Sequence, residues 1–170
     1  MTQKTRQQLV EELTRSHAEL RRLLESVAPV QDWQREPAEW SFRYIAAHLA
    51  TVERAFHLAR LMHIASGDEP RLAGYSQRGL HMARCDLHDS LDQWALARQE
   101  LLTFVATLEE ADLSLTGIHA DLGAITLLDA LDEVARQDRG HIRHVRQLIR
   151  DFYEDQRPAV PCYEGPFVLN

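Results

Sequence analysis

Apolar residues recur every three or four positions along four stretches of this chain, the spacing that places them on one face of an α-helix. The four stripes are, in chain order, Leu9, Leu13, Leu20, Leu24 and Val27; Phe42, Ile45, Leu49, Val52, Phe56 and Ala59; Leu87, Leu91, Trp94, Leu101, Val105 and Leu108; and Leu127, Leu131, Val134, Val145, Leu148 and Phe152. Each stripe predicts one amphipathic helix. Because each helix must cover an apolar face, the pattern predicts an all-α fold, a four-helix bundle.

Proline, glycine and helix-capping residues bound these helices. The predicted helices span residues 2–27, 41–66, 81–108 and 126–152. Residues 71–79 and 112–123 are expected to be connections, and no convincing β-alternation appears. The length of the connection before the third helix favours a crossover over a simple up-and-down topology.

The chain fits one domain at 170 residues. We expect the bundle to occupy residues 1–155 and an extended tail to occupy residues 156–170. Three prolines exclude helix from that tail, and its apolar residues are expected to pack on the bundle or on a partner.

Charge and composition limit the classes of partner that we expect for this protein. The formal net charge of −7 gives no attraction to nucleic acid or to anionic lipid, so we expect neither as a partner. Arginines between Arg136 and Arg150 offer a nucleic-acid patch as the alternative, but their helical spacing is typical of a solvated face. The start of the chain is polar, no apolar run approaches a membrane span, and two cysteines make no disulfide framework. We therefore expect a cytoplasmic protein.

Polar side chains interrupt two of the apolar stripes, and burying them costs free energy unless they are paired or ligated. Asp138 and His141 lie on the fourth stripe, with Gln137 beside them, and His48 lies on the second stripe. Glu53 lies near the edge of the second stripe. His57 is half a helical circumference from His48, so we expect it to face solvent.

Two interpretations fit these inward histidines. In the first interpretation, His48 and His141 meet across the bundle and bind a metal ion, since imidazole suits zinc, nickel, iron or copper. Alternatively, each is a core histidine that hydrogen bonds to Asp138 or Glu53. Spacing does not decide between them. His17, which falls on the first stripe, and His144 are weaker candidates for an additional ligand.

Two short motifs resemble those of the DinB-like helical bundle superfamily. WSFRYIAAHLATVER, from Trp40 to Arg54, resembles its second-helix signature, and QDRGHIRHV, residues 137–145, is similar to its fourth-helix signature, His-Asp-x-x-His. The likeness covers residues 35–152. It implies a bundle with a crossed connection, a homodimer, and one divalent metal ion held by three histidines.

Carried over by position, the implied metal ligands are His48, Gln137 and His141. Gln137 departs from the family pattern, because its neutral amide oxygen is a weaker donor than imidazole for an ion of the zinc, nickel or iron type. Looser metal binding is therefore expected unless Asp138, His144 or Glu53 completes the coordination.

The same resemblance implies a function. Related proteins include S-transferases and isomerases that use small-molecule thiols such as bacillithiol or mycothiol. We therefore expect a divalent-metal-dependent thiol S-transferase or hydrolase, with no catalytic side chain assigned. The alternative, which Gln137 favours, is a metal-free dimeric bundle that acts as a binding or stress-response module.

Overall fold

The structure is a computed structural model that describes residues 4–72, 85–120 and 122–157. Residues 158–170 of the predicted tail (156–170), residues 73–79 of the predicted connection and residues 81–84 of the predicted third helix lie outside that part. The helices are α1 (Arg6–Glu25), α2 (Phe42–Val52), α3 (Ala59–Ala65), α4 (Leu87–Thr107) and α5 (Leu127–Asp155). A π-helical turn, Glu53–Leu58, joins α2 to α3 without a break.

Side-chain caps fix the starts of these helices. Ser41 is the N-cap of α2, and its hydroxyl accepts a hydrogen bond from the Tyr44 amide at 3.2 Å. Thr126 and Asp129 form a capping box at the start of α5, in which each side chain accepts from the other's backbone amide. Residues at the start of α5 therefore determine where this helix begins, and α5 carries Gln137, Asp138 and His141.

Two apolar cores fill the bundle, one toward each end. The first contains Leu9, Leu13, Leu61, Ile64, Leu101, Val105, Leu131 and Val134. The second contains Leu20, Leu24, Phe42, Ile45, Leu91, Trp94, Val145 and Leu148. Helices α1 and α5 run from the first core to the second. The continuous helical segment formed by α2, the π-turn and α3 (residues 42–65), which we call the α2–α3 rod, runs from the second core to the first, as does α4.

The helix directions establish the topology. Parallel neighbours α1 and α5 pack along each other, as do α2 and α4. Because α3 ends at the first core and α4 begins at the second, α4 runs in the same direction as α2 and α3 before it. This is the crossover that the long connection predicts, and the predicted all-α four-helix bundle is confirmed.

A small sheet covers the end of the bundle at the first core. Strands β1 (Arg71–Leu72), β2 (Thr116–His119) and β3 (Gly123–Thr126) lie in that order, with β1 parallel and β3 antiparallel to β2. The prediction that residues 112–123 form only a loop was therefore wrong. Strands of two to four residues are too short to show the alternation by which a sequence reveals a strand.

Buried polar side chains lie where the two cores meet, and each of the long helices contributes at least one. We call this level of the bundle the polar layer. Its residues are Ser16 from α1, His48 from α2, Glu53 and His57 from the π-turn, Arg98 from α4, and Asp138 from α5. Within the described part of the chain, no helix is long and apolar enough to cross a membrane.

Candidate metal centre

The π-turn brings His57 into the polar layer. In an α-helix the nine positions from His48 to His57 would end about 180° around the axis, which is why the sequence predicts a solvent-facing side chain. The π-turn accommodates one additional residue, so His57 stands about 80° from His48 instead. His57 is 7% exposed, and the prediction that it faces solvent was therefore wrong.

One part of the polar layer is a closed set of charges that we call the ion cluster: Arg98, Glu53, Asp138 and Ser16. All five N–H groups of the Arg98 guanidinium are used. Nε and Nη2 donate to the Glu53 carboxylate, Nη1 and Nη2 donate to Asp138 at 2.8 and 3.0 Å, and Nη1 also donates to the Leu13 carbonyl at 2.9 Å. The Ser16 hydroxyl donates to Asp138 as well.

These contacts determine the charge states inside the ion cluster. Burial opposes ionisation of Glu53, but hydrogen bonds from His57 and Arg98 and the Arg98 charge outweigh it and lower the pKa of Glu53 to about 2. Burial likewise opposes the charge of Arg98, yet the carboxylates of Asp138 and Glu53 raise its pKa above the ordinary value. The cluster places one guanidinium between two carboxylates, which leaves negative charge in excess beside the histidines.

The other two residues of the polar layer, His48 and His57, form with the half-buried Gln137 and His141 a second group that we call the histidine cluster. The ring centres of His48 and His141 are 5.2 Å apart, with an angle of 57° between the ring planes. Burial and, secondarily, His141 and His57 lower the pKa of His48 to about 4. Burial also lowers the pKa of His141, against the opposing effect of Asp138. Both imidazoles are therefore neutral at pH 7, the form that binds metal ions.

His57 and Gln137 form the second pair of the histidine cluster. His57 Nε2 lies 3.1 Å from Gln137 Oε1, and His57 Nδ1 lies 3.3 Å from Glu53 Oε2. The Gln137 amide nitrogen donates to Glu133 at 3.2 Å. Glu53 thus belongs to the ion cluster and also orients His57, so the two clusters share a boundary at this carboxylate.

A cavity of about 750 Å³ opens onto the histidine cluster. Gln137 and His141 reach its wall, Trp40 and His144 form an aromatic side, and Arg35 and Asp151 stand at the far end, where they pair at 3.6 Å. The Trp40 ring also contacts the His48 ring, with centres 4.7 Å apart. This volume suits a small organic molecule.

The donor set fits a divalent metal ion in its chemistry. Two imidazoles bound to one tetrahedral ion at about 2.0–2.1 Å have ring centres roughly 5 Å apart, as His48 and His141 do. Within residues 4–72, 85–120 and 122–157, no group of three or more histidine, cysteine, aspartate or glutamate side chains is arranged to hold a metal ion. A site here therefore needs the Gln137 amide or a rearrangement of side chains, and the set His48, Gln137 and His141 stays a prediction.

The structure brings some of the predicted metal-binding side chains together and places others elsewhere. His48, Gln137 and His141 come together, whereas Asp138 turns to Arg98 and His144 is exposed on the cavity wall. On the first stripe, Ser16 takes the buried position and His17 is only half-buried.

Sequence reasoning missed Arg98 and His57. Arg98 lies four residues after Trp94 and three before Leu101, so its place in the third stripe was a visible signal. No periodicity argument finds His57, because the additional residue of the π-turn shifts the phase.

Comparisons with known proteins agree with this architecture. The chain superposes on YfiT from Bacillus subtilis, described as a probable metal-dependent hydrolase with an unusual four-helix bundle topology, with a TM-score of 0.76 and 20% identity over 90% of each chain. At that identity the likeness shows the fold alone. No curated protein matches the chain. The family model of the DinB superfamily matches residues 12–145, which include both clusters of the polar layer, and the chain therefore belongs to the DinB superfamily.

Proposed function

We propose that this protein is a divalent-metal-dependent hydrolase or thiol S-transferase whose metal ion is held by His48, His141 and Gln137. The observation that carries the proposal is the pair of neutral imidazoles, 5.2 Å apart, beside a 750 Å³ cavity. The fold likeness to YfiT, described as a probable metal-dependent hydrolase, supports the same chemistry.

The surroundings of the pair favour a cation. The excess negative charge of the ion cluster lies next to the histidines, on the Glu53 and Asp138 carboxylates. In an interior of low effective dielectric constant, that charge attracts a divalent ion more strongly than it would in water. The lowered pKa values of His48 and His141 favour the neutral form of both imidazoles near neutral pH, and that is the form that binds metal ions.

A bound divalent ion would lower the pKa of an adjacent water or thiol and so supply a nucleophile at neutral pH. The chain's own residues supply the rest of the site. Trp40 and His144 give the substrate an aromatic wall, and Arg35 offers a cationic group at the far end of the cavity. We propose a small-molecule thiol as the substrate and a homodimer as the assembly, both on the basis of the family resemblance.

Metal content of tag-free protein tests the proposal. We expect close to one equivalent of zinc, nickel or iron by elemental analysis, and less in His48→Ala and His141→Ala proteins. The exposed His88 provides a control, since His88→Ala should keep the metal. Hydrolysis of a model ester and thiol transfer to an electrophile should disappear on chelation and return on metal addition. Protein that stays metal-free after incubation with each ion would contradict the proposal.

A second candidate is the metal-free binding module. The observation that favours it is that the Gln137 amide is already held by His57 and Glu133. In that case chelators should change neither the melting temperature nor ligand binding in the cavity, whereas a bound metal ion stabilises by mass action.

A further inference from the structure

His57 lies between two acceptor oxygens, Glu53 Oε2 and Gln137 Oε1, and a neutral imidazole has a hydrogen for only one of them. Glu53 Oε2 can only accept, so the hydrogen of a neutral His57 ring lies on Nδ1, 3.3 Å away. His57 Nε2 then presents a lone pair to Gln137 Oε1, which is also an acceptor, at 3.1 Å. Two acceptors facing each other at this distance need a second ring proton or a metal ion between them.

Rotation of the Gln137 amide does not remove this conflict. The amide nitrogen donates to Glu133 Oε1 at 3.2 Å. A rotated amide would give His57 a donor, but it would turn the amide oxygen toward the Glu133 carboxylate. The orientation of Oε1 toward His57 is therefore fixed from the Glu133 side, and the orientation of Nε2 toward Gln137 is fixed by Glu53.

The spacing of these two atoms suits adjacent ligands on a metal ion. Two donor atoms that each lie about 2.0–2.2 Å from one ion are separated by roughly 3.0–3.5 Å. His57 Nε2 and Gln137 Oε1 are 3.1 Å apart. A histidine ligand also commonly donates its other ring N–H to a carboxylate, which is the role that Glu53 has toward His57.

We infer that His57 is a metal ligand of this chain, and that it supplies from the π-turn the third imidazole that Gln137 cannot supply from α5. The metal ion would then be held by His48, His57 and His141, with the Gln137 oxygen beside them. This inference rests on the proposed metal-dependent function and adds a ligand to it. Among the described residues no three histidines are already arranged around one point, so this inference requires the two pairs to move closer together when the ion binds.

Zinc binding tests the inference without any assay of activity. Tag-free protein is stripped with a chelator, and its zinc affinity is measured by competition with a chelating dye. X-ray absorption at the zinc edge counts the imidazoles. We expect three imidazoles in the original protein, two in His57→Ala, and an affinity at least tenfold lower in the variant. The exposed His63, on the same helical rod, gives the matched control His63→Ala, which should bind zinc as the original protein does.

A rescue experiment separates ligation from a structural role. Adding Gln137→His to His57→Ala should restore three imidazoles and most of the zinc affinity, because the imidazole returns from the neighbouring position on α5. Two imidazoles in the original protein, or unchanged affinity in His57→Ala, would overturn the inference while the proposed function stands. If the original protein binds no zinc, nickel or iron, the proposed function fails as well.

Discussion

The ion cluster and the histidine cluster occupy the same layer of the bundle but differ in how completely their polar atoms are satisfied. Arg98 uses every one of its five donors inside the protein, on Glu53, Asp138 and a backbone carbonyl. In the histidine cluster, a neutral His57 ring cannot donate to both Glu53 and Gln137, and a cavity reaches His141. The first arrangement is complete by itself, whereas the second is suited to a cation.

The difference shows how one polar layer can serve both stability and chemistry. A buried charge needs partners fixed in position, and the ion cluster has them from four helical segments. Glu53 belongs to that rigid set and at the same time orients His57. The closed cluster therefore acts as the support of the open one, in the way that outer residues orient metal ligands.

The largest expected effect comes from breaking the ion cluster. Arg98→Ala leaves the carboxylates of Glu53 and Asp138 buried without their cation, which should destabilise the fold by about 3–5 kcal/mol. Urea denaturation followed by circular dichroism measures the loss. Arg54→Ala is the matched control, because it removes an exposed pair with Glu100 and should cost about 1 kcal/mol or less. Equal losses in the two variants would show that the ion cluster does not support the bundle.

The second-largest expected effect on stability comes from binding a metal ion at the histidine cluster. A metal ion at a free concentration one hundred times its dissociation constant should raise the free energy of unfolding by about 2.7 kcal/mol. Thermal unfolding with and without zinc measures this stabilisation. It should vanish in His141→Ala and persist in His88→Ala, whose side chain is exposed. If His141→Ala keeps the full stabilisation, the zinc binds elsewhere.

The sequence predicts most of the fold because the bundle follows from regular periodicity. Along α5, Leu131, Asp138, His141 and Val145 keep α-helical spacing, so the stripe predicted their common face. The same reasoning failed on the α2–α3 rod, where His57 is buried although regular spacing turns it outward. A π-turn leaves no signature in hydrophobic periodicity other than the shift itself.

The candidate site is only partly predictable for a second reason. Its partners are set by contacts between helices that are distant in sequence, such as the contact of Arg98 with Glu53 and that of Asp138 with Ser16. Periodicity tells which side chains point inward, but it does not tell which of them meet. Asp138 was thus predicted as inward-facing, yet its pairing with Arg98 rather than with a metal ion depends on tertiary packing.

A smaller effect comes from trimming the ion cluster at its edge. Ser16→Ala removes the hydroxyl that donates to Asp138, while both Arg98 bonds to that carboxylate remain. We expect a loss of about 1–2 kcal/mol, within the range for a buried hydrogen bond to a charged group. Ser26→Ala is the control, since Ser26 is exposed and bonds only within its own helix; it should change stability by no more than about 0.5 kcal/mol. Chemical denaturation resolves these values, and a neutral Ser16→Ala would mean that Arg98 alone satisfies Asp138.

The two clusters should also lose stability in different ranges of pH. The lowered pKa of Glu53, about 2, means that its contribution is complete above the unfolded value near 4.3 and is lost as the pH falls toward 2. A histidine with a lowered pKa loses its contribution to stability at a higher pH than Glu53 does. Between about pH 6.5 and its folded pKa, the unfolded chain binds more protons than the folded chain, so acidification favours unfolding.

His17, half-buried on α1 beside the ion cluster, gives the smallest effect at neutral pH and a clear one in acid. Burial and, to a lesser degree, the Arg98 charge lower the pKa of His17 to about 4, and its ring lies 4.4 Å from the Trp94 ring. His17→Phe keeps an aromatic ring there and removes the group that titrates, so at pH 7 the variant should match the original protein within about 1 kcal/mol. Between pH 6.5 and 4 the original protein should lose stability faster than the variant, and urea denaturation at pH 7.0, 5.5 and 4.5 measures that difference. His88→Phe, at an exposed position, should follow the original protein throughout. Parallel pH curves for His17→Phe and the original protein would show that His17 is not held neutral by the fold, and acid sensitivity would then have to arise in the histidine cluster.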